Sequence, residues 1–503
     1  MKQYSHGNPN GRTRRFHTLL ATAGASVVAL AGCGLFDTGD GSCDPNAPAC
    51  GDGTTCQQFV TGEYRCAAPV RIRGHVLDLA DDGPIEDARV QAMDANGAAV
   101  GTTGVTDEQG AYELMVPALR DEDGAPLDGS YTLQVQAMRY QMFPTPIRPA
   151  LSIDLSTAVR GESDWVVENP LTTVKLIGLL GDTAGLGSIA GMILAEKNAG
   201  VLVVAEGAGS AVTGISDSNG QYVVFNVPAG NYTVRGFAAG VQLDPASTGL
   251  QAGEHRTGVD LSQADRPLNT VSGNVQIVNA PGEATTSVIL AVESTFVEAA
   301  GRGAVPPGLR VGDVSGEFTI ENVPDGNYVV LAAFENDDLV RDPDQTIGGT
   351  MTVRITLPDP TAGNVLVFSE GFKVTEALAV VSPGADAPEE VFTPTPTFEW
   401  ADDSSEDGYE IRVFDAFGRL VWSDEIGSVS GSATVTHTYA GPALEPGMFY
   451  QFRVKSFREQ TGTRTAISAT EDLRGVFFYL AGSHPTATAL TTLPRILGVR
   501  PSA

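Results

Sequence analysis

Positive charge and histidine are what this 503-residue chain has least of. Lys and Arg total 31 against 61 Asp and Glu, and there are six histidines. A formal net charge of −30 repels phosphate backbones and anionic headgroups, so no nucleic acid is expected as a partner. Beyond residue 32 the histidines are His75, His255, His437 and His484, scattered over separate segments. No H-E-x-x-H, G-x-S-x-G, P-loop or G-x-G-x-x-G at a strand–helix junction occurs. An enzyme is therefore not expected. Cysteine occurs five times, only between residues 33 and 66, which leaves the long remainder without thiol chemistry. Tryptophan is limited to Trp165, Trp400 and Trp422. Past the first thirty residues no apolar run can span a bilayer: the stretch from Leu171 to Leu194 is broken by Lys175, Asp182 and several glycines.

What is present begins with a basic region, Arg12, Arg14 and Arg15, followed by the apolar run LLATAGASVVAL from Leu19 to Leu30. The pattern is that of an export signal, too short for an ordinary membrane span. It leads into Leu30-Ala31-Gly32-Cys33, which resembles the bacterial lipobox. That resemblance implies cleavage before Cys33, diacylglyceryl modification of its thiol and a lipid bilayer as first partner. Gly34 in place of Asp implies sorting to the outer membrane of a two-membrane bacterium. Thr13-Arg14-Arg15 hints at twin-arginine export without its usual spacer, so the route stays open. Cleavage would leave 27 basic against 61 acidic residues.

Cys43, Cys50, Cys56 and Cys66 remain, an even cluster in an exported chain. Such a cluster reads as two disulfides, with three pairings open. Gaps of six, five and nine residues do not suit zinc, which favours C-x₂₋₄-C. CDPNAPACGDGTTCQQFVTGEYRC resembles an epidermal-growth-factor-type module lacking its last cysteine pair. So small a segment needs staples, and its expected role is a short rigid spacer.

After Pro69 one outline is written three times. GISDSNGQYVVFNVPAGNYTV from Gly214 returns as VGDVSGEFTIENVPDGNYVV from Val311, and in stretched form as GVTDEQGAYELMVPALRDEDGAPLDGSYTLQV from Gly104. Asp217-Ser-Asn-Gly220 is a turn signal, the carboxylate bonding back to its own backbone and Gly accepting positive φ. Asp107 and Tyr112, Asp217 and Tyr222, and Asp313 and Phe318 are each five residues apart. The second aromatic of the outline stands ten residues later at Tyr232 and Tyr328, but nineteen later at Tyr131, where RDEDGAPLDG lengthens the hairpin. Each copy opens with a strand centred on glycine: IRGHV, SIAGMI or VSGNV. Alternation of Tyr222 and Val224 predicts strands with one buried face. Each large aromatic stabilises by about 1.5–3 kcal/mol when buried. The pattern resembles carboxypeptidase-regulatory-like (transthyretin-like) sandwiches, and also collagen-adhesin B-type stalk repeats. The latter resemblance brings lysine–asparagine cross-links into question. Lysines are few, and Lys175, Lys197 and Lys373 match no reactive position, so none is expected.

A different module follows. Pro394 and Pro396 mark an edge. Phe398 and Trp400, then Tyr409, Ile411 and Val413, then Tyr450, Phe452 and Val454 alternate with polar residues. The Tyr-x-Ile-x-Val strand and the Leu-x-Pro-Gly-x-x-Tyr phrase from Leu444 resemble a fibronectin-type-III domain.

The expected fold class is all-β: tandem β-sandwiches after a signal peptide and a short disulfide-stapled segment. The expected organisation is a lipoprotein signal peptide at 1–32, a lipidated, Cys-rich spacer at 33–69, and regulatory-like sandwiches at 70–160, 187–262 and 268–358. Connectors are expected at 161–186 and 359–377, a fibronectin-like sandwich at 378–480 and a tail at 481–503. Two further sites come from composition. Glu335, Asp337, Asp338, Asp342 and Asp344 crowd one loop and offer oxygen ligands for calcium, although the spacing is not that of an EF-hand. Trp165 is the one tryptophan not placed in a core, and so the single candidate for a carbohydrate platform. These features suggest a non-enzymatic, membrane-anchored lipoprotein on the bacterial outer membrane. Its sandwiches would form a rod serving an envelope or surface protein partner, with polysaccharide binding as the alternative.

Overall fold

The computed structural model describes residues 42–44, 50–51, 53–127, 129–145, 147–207, 209–278, 286–298, 301–333, 353–367, 372–375, 377–403, 405–460 and 462–481. The described chain is all-β, built as four sandwiches behind a stapled hairpin.

One topology recurs in the first three sandwiches. In the first, Val70–Asp78 pairs antiparallel with Ala111–Val116 and parallel with Trp165–Val167 and Val174–Leu176. The facing sheet orders Ala99–Val105, Arg89–Met93, Ser130–Gln136 and Ile153–Asp154. The second repeats this with Gly187–Leu194 beside Gln221–Val227, His255–Arg256 and Leu261–Ser262. The third does so with Asn269–Val278 beside Glu317–Val323, Val365–Val367 and Phe372–Thr375. The segments 161–186 and 359–377, expected as connectors, are thus not plain linkers. Each supplies the strands that return parallel to the first strand of its sandwich and close the sheet. Their short apolar runs hid this because each strand is only three or four residues long.

The glycine of each first strand faces the first aromatic of the repeated outline: Gly74 opposite Tyr112, Gly191 opposite Tyr222 and Gly273 opposite Phe318. Tyr112 and Tyr222 are buried, and their hydroxyls donate to the Thr172 carbonyl (2.7 Å) and the Val259 carbonyl. A Cβ at Gly74 or Gly191 would collide with that same carbonyl. The second aromatic makes another repeated bond. Tyr232 and Tyr328 donate to the carbonyls of Pro228 and Pro324, four residues earlier, at 2.8 and 2.9 Å. Tyr131 reaches Pro117 at 3.0 Å across the inserted loop.

The Asp turns form as the sequence suggests at Asp107 and Asp217. The Asp217 carboxylate accepts from the backbones of Asn219 and Gln221, both at 2.9 Å, and Gly220 has φ +80°. The third copy departs from this. There Asp313, not Gly316, takes a positive φ, of +55°. What survives in all three is a backbone bond from the first strand, at Val76, Ile193 or Val275, to the turn glycine's carbonyl at 2.8–2.9 Å.

The fourth sandwich packs a three-stranded sheet, Val380–Ser382, Thr397–Ala401 and Thr434–Thr438, on a six-stranded one. Phe398, Trp400, Tyr409, Ile411, Val413, Phe452 and Val454 are buried as their alternation requires. The Phe398 and Phe452 rings stack at 4.5 Å.

These sandwiches are not strung out as a rod. The first core runs on through Phe414, Phe449 and Phe478 of the fourth sandwich. Leu202 and Phe237 of the second join the third core, where Phe237 meets Tyr328 edge-on at 5.9 Å. Ala98 of the first packs with Ile289 and Val305 of the third. Neighbours in sequence share one further device. Asn226, at φ +58°, bulges from its strand and bonds the first sandwich: Nδ2 to the carbonyls of Ala137 and Tyr140 (3.0 and 2.9 Å), Oδ1 to the Arg139 N–H (2.6 Å). Asn322, at φ +60°, is its counterpart, and its carbonyl accepts from Gly240 of the second sandwich at 2.8 Å. Among the described residues the stapled hairpin, not a sandwich, precedes the first copy, which carries no such residue: Tyr112 to Val116 is one residue shorter than Tyr222 to Val227.

Asn226→Ala should lose three bonds of about 1 kcal/mol each and place Ala in a left-handed conformation costing about 1–2 kcal/mol. The expected result is a lower thermal midpoint and faster hydrogen exchange at residues 137–141. Unchanged exchange there would refute this account of the joint. Burial pushes the Tyr131 phenol up to about 12 and raises those of Tyr112, Tyr222, Tyr232 and Tyr328. Above the unfolded value of about 10 the unfolded chain sheds protons that the folded chain keeps. The tyrosine contribution to stability should therefore be flat below pH 10 and fall above it. Tyrosinate absorbance at 295 nm would then rise in step with loss of the β-sheet spectrum.

Candidate functional site

The four cysteines past residue 33 are joined as Cys43–Cys56 and Cys50–Cys66. The sulfurs of Cys43, Cys50 and Cys66 lie within 4.8 Å of one another, but both bridges consume them, so this is a staple and not a thiolate site. The hairpin they hold, Thr55–Gln58 with Tyr64–Ala67, is not a free-standing spacer. It is docked on the first sandwich through the very loop that stretches the first copy of the outline. Val60 and Arg120 share a backbone bond of 2.9 Å, as do Arg120 and Gln58. The Arg120 side chain is fully buried and donates to the carbonyls of Ala68 (2.7 Å) and Gly124 (3.2 Å). Burial lowers its pKa to about 10. Sequence reading missed Arg120 because it lies in a run of charged residues that suggests a solvated tip.

Of the other sequence candidates, Cys33 and the acidic set Glu335, Asp337, Asp338, Asp342 and Asp344 lie outside the described residues. Trp165 sits on a strand paired on both sides, opposite Val70 on one and Arg160 on the other, and is partly buried against the first core. The Arg160 guanidinium lies 5.3 Å from the ring centroid. The ring is thus packed against the first core and under a guanidinium, and it remains partly accessible. Trp400 is buried, and Trp422 stacks on His437 at 5.8 Å. Ser188 and His255 touch at 2.9 Å because they are register partners on neighbouring strands. His75 is exposed.

What no sequence signal announced is the region where all four sandwiches converge. A cavity of ≈ 450 Å³ opens there, a size typical of small-molecule pockets and a place, between domains, where such pockets form. Met93, Thr132 and Thr145 of the first sandwich line it, with Leu202 and Ile215 of the second, Phe296 and Val305 of the third, and Arg453 and Asp472 of the fourth. Arg302 of the third sandwich and Arg453 both pair with Asp472, which is 7% exposed. A second joint closes the first sandwich on the fourth. The Arg148 side chain, 6% exposed, donates to the carbonyls of Phe417 (2.9 Å) and Lys175, and its guanidinium lies 4.9 Å from the centroid of the Phe143 ring.

One family model matches residues 383–474, described as the Rha78A-like, N-terminal immunoglobulin domain. No match is found among curated proteins. Solved structures similar to the chain include the Bacillus anthracis TIE protein, at 11% identity over 85% of this chain and 73% of that one, TM-score 0.15. Two B repeat units of the Staphylococcus aureus collagen-binding protein match at 12% identity over 80% and 100%, TM-score 0.15. A streptococcal ancillary pilin matches at 12% identity over 60% and 99%, TM-score 0.16.

Arg120→Met would keep the stem and remove the two carbonyl bonds, a loss of about 2–3 kcal/mol at the hairpin joint. Protease cutting between residues 58 and 70 should then accelerate severalfold while the four sandwiches melt as before. An unchanged cutting rate would show that Arg120 does not hold the hairpin.

Proposed function

We propose that the protein is a non-enzymatic lipoprotein of the bacterial envelope. It is held on the outer membrane by acylated Cys33 and presents a joined set of β-sandwiches to an envelope or surface partner. The observation that carries this reading is the stapled hairpin. Two disulfides need an oxidising compartment, and they begin ten residues after a cysteine that ends an export-type signal. The fourth sandwich fits the fibronectin-like or the immunoglobulin-like version of one architecture, in which loops and sheet edges serve recognition. The extensive joints between sandwiches favour a rigid interaction module over a flexible stalk. Carbohydrate binding at Trp165 is the second reading, and the guanidinium of Arg160 over its ring weighs against it.

In the producing bacterium, mass spectrometry of the mature chain should find residue 33 at its start, carrying the mass of a diacylglyceryl group. Cys33→Ser should move the protein from the membrane fraction to the soluble fraction without changing its melting curve. An unmodified Cys33 in a protein that still sediments with membranes would overturn the lipid anchor.

A further inference from the structure

We propose that Met142 is a site of reversible oxidation, where the fold already holds two hydrogen-bond donors for a methionine sulfoxide. Val135 and Phe143 exchange both backbone bonds, at 2.7 and 3.0 Å, and both side chains join the first core. Their neighbours in the chain therefore meet on the opposite face. There Met142, 40% exposed, lies across Gln134 and Gln136. Its sulfur accepts from Nε2 of both, at 3.5 and 3.3 Å. Among the described residues no other methionine sulfur accepts a hydrogen bond.

A thioether is a weak acceptor, so the two amides gain little from it. A sulfoxide is polar and chiral, and its oxygen is a better match for both N–H groups. With hydrogen peroxide as oxidant, a sulfur lone pair attacks one oxygen and the O–O bond breaks. The proton of the attacked oxygen passes to the other, which leaves as water. Sulfur loses two electrons and the peroxide gains them. A thiol-dependent methionine sulfoxide reductase restores the thioether. Met93 shares the cavity lining with Met142 but stands in other surroundings. It is 9% exposed and packs with Ala99 and Ile215 at the joint of the first two sandwiches. A sulfoxide there would set a polar oxygen against apolar carbon. At Met142 the same change leaves that joint intact.

The test treats the full chain bearing Cys33→Ser with limiting hydrogen peroxide and maps the added oxygen by peptide mass spectrometry. Met142 should gain oxygen at least tenfold faster than Met93. Because two amides hold its sulfur, the two lone pairs should react unequally and give one sulfoxide epimer in about threefold excess or more. Reductases specific for each epimer read that ratio and should together remove the oxygen. Gln134→Leu with Gln136→Leu should bring the ratio close to one; if that pair fails to fold, Gln136→Leu alone carries the test. Met142→Leu, given the same dose, reports what the other methionines do to the melting curve, and the unsubstituted chain should melt no lower. Equal epimers, or a ratio indifferent to the glutamine variants, would overturn the role of the amides. Met142 left reduced while Met192, 39% exposed, is oxidised would overturn the site. So would a melting midpoint that falls only when Met142 is present.

Discussion

The fit of an aromatic ring against a glycine on the neighbouring strand is the contact on which the repeated sandwiches depend. Only where the first strand lacks a Cβ can the ring of Tyr112 or Tyr222 lie flat enough for its hydroxyl to reach the returning segment. The same absence lets the Thr172 or Val259 carbonyl approach the strand from the other side. Ring, glycine and returning carbonyl therefore fix three strands in one register. A register slip would turn the buried aromatic to solvent.

From that unit the larger arrangement follows by small additions. One extra asparagine in the second and third copies bulges the strand and bonds the sandwich before it. Ten added residues in the first copy, where no sandwich precedes among the described residues, receive the disulfide hairpin instead. The fourth sandwich returns to the first, bringing Phe414 and Phe449 into its core, with buried Arg148 satisfied by carbonyls at the seam. A cavity at the meeting of four rounded bodies is the geometric residue of that closure. Unlike sheet faces within a sandwich, surfaces from separate sandwiches do not interdigitate completely.

Much of this was legible beforehand for identifiable reasons. Turns at Asp107 and Asp217 and inward faces such as Phe398, Trp400 and Tyr409 obey local rules of backbone and period. The returning strands at 165–167 and 174–176 were not legible, being too short to show a period. Nor was the role of Trp165, since nothing in its neighbours in sequence reveals that Arg160 folds over its ring. The third copy shows the limit of spacing as a guide. Asp313 keeps its distance from Phe318 yet takes the left-handed conformation itself, and the bond from Val275 to Gly316 holds the turn.

Composition, periodicity and turn chemistry by themselves determined the class of fold, the disulfide-bearing segment and many of the residues that face the cores. These are consequences of local backbone preference and of one buried face per strand. The pairing of the cysteines, the docking of the hairpin by Arg120, the placement of Arg160 over the Trp165 ring and the cavity lined by Arg302, Arg453 and Asp472 were decided only by tertiary structure. Each of them joins residues far apart along the chain, and contacts of that kind leave no periodic trace in the segments that make them.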